Sequence, residues 1–69
     1  MKSYKVSGWV LNKNFNTYEL EQGESVENFI VKSVLDNIDG YEDRCFLEVE
    51  ISKQYGCTYF ELDTLELIN

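Results

Sequence analysis

Histidine, alanine and proline are missing from these 69 residues, and arginine occurs once, at Arg44. Without histidine the chain forms no Ser-His-Asp triad, no Cys-His pair and no histidine-ligated zinc site. Two cysteines, Cys45 and Cys57, are too few for a four-cysteine zinc site within one chain. No phosphate-cradling GxxxxGK[ST] or GxGxxG appears, because Gly8, Gly23, Gly40 and Gly56 stand singly. Apolar runs stop at three residues, far short of the roughly 20 a membrane-spanning helix needs. The opening MKSYKVSGWVLNK carries lysines but no continuous apolar stretch, so it does not read as a signal peptide and the expected address is cytoplasmic. The expectation is a non-catalytic protein with no catalytic residues, no metal and no cofactor.

What is present argues for a folded domain. The chain is 43% hydrophobic and 14% aromatic, too apolar for disorder despite a net charge of −7. Its length suits one domain, residues 1–69, around one thin core. Such a core rarely supplies more than about 3–5 kcal/mol, and a deep ligand pocket would consume most of it. Asn, Lys, Tyr, Phe and Ile are abundant, residues with mostly AT-rich codons. That flavour fits a short reading frame of a low-GC bacterium or one of its phages.

Periodicity predicts a helix over Ser25–Ile38. Val26, Phe29, Ile30, Val34 and Ile38 recur at three- and four-residue spacing, Ser25 is placed to cap the first turn, and Asp39-Gly40 to end the last. Two strands are expected before it, one with Tyr4, Val6, Gly8 and Val10 on one parity and one with Tyr18 and Leu20 inward, joined by a turn at Asn12-Lys13-Asn14. After it, Leu47, Val49 and Ile51 alternate with Glu48, Glu50 and Ser52 as a half-buried strand. Gln54–Gly56 reads as a turn and 58–67 as a last strand with Phe60 and Leu62 inward. Leu65 and Leu67 fall out of phase with these two, which a bulge near Asp63-Thr64 explains, as would a strand end that leaves the sheet. The expected fold is α+β: a β-β-α-β-β two-layer sandwich, an antiparallel or mixed four-stranded sheet with one helix on one face. On this reading Cys45 and Cys57 lie near opposite ends of a hairpin, beyond the roughly 7 Å a disulfide tolerates, and are two unbridged thiols.

Two further chemistries fail on inspection. The segment Asp36–Asp43 resembles a calcium loop, but aligning Gly40 with the invariant glycine puts Leu35 and Phe46 where the strongest carboxylate ligands belong. Cys57 has no basic or cationic neighbour in sequence to activate it.

The expected strands turn Glu19, Glu21, Glu48, Glu50, Glu61 and Asp63 together onto the sheet face away from the helix. Trp9, Phe46 and Tyr59 join them as aromatic anchors. Such a face repels nucleic acid, since thirteen acids oppose six bases, and attracts a protein with a basic surface. In charge and size the chain is similar to the acidic DNA-mimic proteins that phages use against restriction or CRISPR systems. The resemblance implies a small inhibitor occupying the phosphate-binding positions of a nucleic-acid-binding protein. The alternative expectation is an interaction or assembly module, a homodimer or accessory subunit, that docks through its exposed aromatics without mimicry.

Overall fold

A computed structural model describes residues 1–68. The elements run β1 (Lys2–Asn14), β2 (Glu19–Ser33), α1 (Gly40–Tyr55) and β3 (Tyr59–Leu67). The three strands form one antiparallel sheet in the order β2-β1-β3. The class is α+β with a single helix, but the order is β-β-α-β with three strands, not β-β-α-β-β with four.

The helix expected at Ser25–Ile38 is largely strand β2, and the cause lies in its bulges. Between Val6 and Gly8, and again between Trp9 and Leu11, β2 advances three residues while β1 advances two. Asn28, at φ 56°, sits at the first of these slips and donates its N–H to Ser7 Oγ at 3.2 Å. Each extra residue resets the inside–outside alternation. Val26, Phe29 and Val31 thus face inward at spacings of three and two, and Val26 and Phe29 together with the exposed Ile30 imitate a helical stripe. The β-branched Val26, Ile30 and Val31 also favour the pleated surface.

The converse error concerns Leu47, Val49 and Ile51, which lie on α1 rather than on a strand. Leu47 and Ile51, four apart, are fully buried, while Val49 faces solvent. So narrow a stripe gives little helical periodicity, and the Leu-Glu-Val-Glu-Ile alternation imitates a strand. Acidic Glu42 and Asp43 occupy the positive end of the helix and Lys53 the negative end. Gly56, at φ 95°, ends it as a left-handed cap, its N–H donating to Ser52 O at 2.9 Å. The expected 54–56 turn is therefore the last residues of a helix and its cap.

Two expectations hold in detail. Tyr4, Val6 and Gly8 face the helix, and β3 carries an extra residue at Asp63, where the β1–β3 register slips between Ser7 and Gly8. The first turn is displaced: β1 continues to Asn14, and the chain reverses over 15–18. Asn14 organises that reversal, its Oδ1 accepting from the N–H groups of Asn16 (2.9 Å) and Thr17 (3.3 Å). Tyr18 and Leu20, expected inward, are both exposed. Cys45 lies on α1 and Cys57 just beyond its cap; both are unbridged thiols, although the hairpin expected to separate them does not exist.

The core comprises Tyr4, Val6, Val26, Val31, Leu47, Ile51, Phe60 and Leu62. Helix α1 also completes both edges of the sheet. On β2, Lys32 N–H donates to Gln54 Oε1 at 2.9 Å and Lys32 O accepts from Gln54 Nε2 at 2.7 Å. On β3, Leu62 N–H donates to Glu48 Oε2 at 2.8 Å and Leu62 O accepts from Arg44 Nη2 at 3.3 Å. Glu50 adds a third clasp, accepting from Ser33 Oγ at 2.6 Å and from Val34 N–H at 3.1 Å. Helix side chains thus satisfy edge groups that a further strand would otherwise pair.

Tyr4 anchors the far end of the core, its hydroxyl donating to Leu35 O at 2.9 Å. Burial, reinforced by Asp36, Glu50 and Asp43, raises its pKa above the ordinary tyrosine value. Between the unfolded and the raised folded pKa the unfolded chain holds fewer protons, so stability falls as pH rises through that window. Tyr4→Phe is expected to flatten this alkaline decline and, at neutral pH, to cost about 0.5–1.5 kcal/mol for the lost bond. Urea midpoints at pH 7 and above pH 10 check both; an unchanged alkaline slope would refute the assignment to Tyr4.

Candidate protein-interaction surface

Residues paired across an antiparallel ladder share a face. On the face away from α1, β1 presents Lys5, Ser7 and Trp9, while Leu11, further along the strand, borders a groove against α1. Lys5 stands opposite Ile30 and Glu66, Trp9 opposite Ser25 and Glu61, and Leu11 opposite Gln22 and Tyr59. Lys5 Nζ lies 3.9 Å from Glu66 Oε2. Gln22 Nε2 donates to Glu61 Oε1 at 3.1 Å, a bond from β2 to β3 that crosses β1 beside the half-buried Trp9.

This face does not gather the six expected carboxylates. Glu48 and Glu50 belong to α1, on the opposite side of the sheet, and their oxygens bind the backbone or hydroxyls of β3 and β2. Glu19 and Glu21 pair with Asn14 and Asn12, on the parity opposite to Trp9. Asp63 occupies the β3 slip. Of the six, Glu61 alone lies beside Trp9. Phe46, on the helix, is remote from that face, while Tyr59, at the start of β3 opposite Leu11, is partly exposed and borders the groove against α1.

The acids gather instead along one sheet edge. Glu19, Glu21, Glu24 and Glu27 are all exposed on β2, the strand whose outer side no other strand covers. They span roughly 25 Å at about 3.3 Å per residue. None lies within ion-pair distance of a cation among the described residues. Glu24 accepts a short hydrogen bond from the Tyr55 hydroxyl, which raises the tyrosine pKa. That contact fixes one carboxylate of the row against the end of α1, where Tyr55 also meets Phe29 edge to face at 5.3 Å. The sequence reading missed Glu24 and Glu27 because it assigned them to a helix start. Their two- and three-residue spacing becomes one edge only when the bulges of β2 are known.

At the hairpin tip, Phe15 and Tyr18 are 77% and 73% exposed. Tyr18 takes φ 61°, uncommon for a bulky residue, and Lys13 Nζ lies 5.5 Å from its ring centre. On the helix, Tyr41, Phe46 and Val49 are exposed. A hydrogen bond with the Cys45 side chain raises the Tyr41 pKa.

Among the described residues no group of three or more His, Cys, Asp or Glu is arranged to hold a metal ion, the 36–43 segment included. No helix among the described residues is long and apolar enough to cross a membrane. No protein-family model, curated protein or solved structure matches the chain.

Proposed function

We propose that this chain is a non-catalytic binding domain whose β2 edge docks on a basic surface of a partner protein. The observation that carries the reading is the row Glu19, Glu21, Glu24 and Glu27: four exposed carboxylates on an edge strand, unneutralised by neighbouring cations. A row of this kind raises the encounter rate with a basic partner and orients it. Surfaces that bind nucleic-acid phosphates are a partner class of suitable charge, and a domain seated there would act as an inhibitor by occupancy. The acidic row replaces the open sheet face as the basis of that reading, Glu61 and Asp63 lying on the opposite edge strand.

Reversing the four glutamates to lysine is expected to abolish retention of a salt-sensitive partner from host lysate, with the circular dichroism spectrum unchanged. Reversing Glu42, exposed in the first turn of α1, serves as the control and is expected to leave retention intact. Retention by the fourfold variant would sink the proposal. A partner that resists high salt and is lost with Phe15→Ser would favour the alternative, assembly through the aromatic hairpin tip.

A further inference from the structure

Between α1 and the start of β3 lies a groove of about 410 Å³, lined mainly by Leu11, Leu20, Cys45, Val49, Tyr59 and Phe60. Leu20, Val49 and Tyr59 are 48%, 53% and 42% exposed, so an occupant would find apolar surface that the fold leaves in water. Exposure of single apolar residues is ordinary. Here three of them, contributed by β2, α1 and β3, converge on one concavity.

The charge around the groove specifies what it suits. Leu20 lies between Glu19 and Glu21, the first two members of the acidic row, so the row passes the β2 border of the groove although neither carboxylate lines it. On the helical side of the groove stand Lys53 and Glu48, one charge of each sign, with Glu48 already bound to Leu62 N–H. The geometry points to a partner segment that sets an apolar side chain into the groove while basic neighbours lie along β2. This rests on the binding role proposed for the acidic row and adds its anchor. An apolar anchor in a pocket with charges at the rim is the usual division between affinity and steering. A second copy of this chain is a poor occupant, because it would bring another net charge of −7 against the same row.

The two thiols provide the readout. Cys45 and Cys57 both line the groove and are partly exposed. The full chain is treated with iodoacetamide alone, with a short peptide alternating lysine and leucine, and with its lysine–serine counterpart of equal charge. Mass spectrometry follows modification at each cysteine, and amide chemical shifts report contact with the glutamate row. The leucine peptide is expected to slow modification of both thiols several-fold and to lose that effect with Leu20→Ser. The serine peptide is expected to shift the β2 amides without protecting the thiols.

If both peptides move the β2 amides and neither protects the thiols, the groove inference is overturned while the acidic row stands. If neither peptide touches β2, the binding role of the row fails as well. Protection by the leucine peptide that persists after charge reversal of the four glutamates would refute the pairing of groove and row. Protection that grows with protein concentration in the absence of peptide would assign the groove to a second copy and overturn the proposal.

Discussion

Gly8→Ala is expected to remove most of the protein's stability. A Cβ at Gly8 would lie 2.0 Å from the carbonyl oxygen of Glu61 and 2.9 Å from two ring carbons of Phe60. The first of these is backbone and cannot swing aside, so β3 must move. Gly8 sits where two irregularities meet, the β1–β3 slip before Leu62 and the β1–β2 slip beside Val26. Displacing β3 withdraws Phe60 and Leu62 from a core of eight residues. Overpacking of this kind costs about 1–3 kcal/mol and sometimes more. A domain of this size holds only about 3–5 kcal/mol from its core, so little stability is left. Gly23→Ala provides the contrast, since its nearest obstacle is the Asn12 side-chain nitrogen at 2.3 Å, the end of a group that can rotate. Urea unfolding of both variants checks the prediction; equal midpoints would refute it.

Glu50→Ala is expected to cost about 2–3 kcal/mol, because hydrogen bonds to charged groups are worth more than neutral ones and a buried hydroxyl loses its acceptor. Ser33 is fully buried. Its Oγ donates to Glu50 at 2.6 Å while accepting from Leu35 N–H at 3.0 Å. Removing the carboxylate strands that hydroxyl proton and releases Val34 N–H from the helix. Glu50→Gln should fall between, since one amide oxygen can accept from only part of the same set. The sharper measurement is a double-mutant cycle with Ser33→Ala. Coupling near zero would show that the two side chains act independently and would refute the clasp.

These effects also explain how much was legible in the sequence. The inward parity of Tyr4, Val6 and Gly8 and the slip at Asp63 could be read because β1 and β3 alternate almost without interruption. The path of β2 could not be. Its two extra residues put Val26 and Phe29 on one face at an interval of three. With Ile30, Val34 and Ile38, that interval satisfies a helix as well as a bulged strand does, and local spacing holds no record of a bulge. The helix was hidden for the opposite reason. It buries little beyond Leu47 and Ile51, while Glu48, Glu50 and Gln54 look like solvent-facing polar residues. Their partners, Leu62, Ser33, Val34 and Lys32, lie 14 to 22 positions away, a separation no local pattern encodes. The candidate site followed the same errors: acids assigned to one plane were divided among a helix, a slip and an edge, while Glu24 and Glu27 were given to a helix that does not exist.

The edge clasps carry a consequence for how the chain can come apart. Lys32 and Leu62 each lose two bonds when α1 lifts, and those bonds lie on opposite borders of the sheet. A partly opened molecule would therefore free backbone groups on both borders at once and lengthen the open stretch of β2, an arrangement prone to joining copies. Tight docking of the helix is thus a guard against polymerisation. Four polar residues maintain it, Arg44, Glu48, Glu50 and Gln54, so an exchange at any of them for another polar residue would loosen an edge without altering the core.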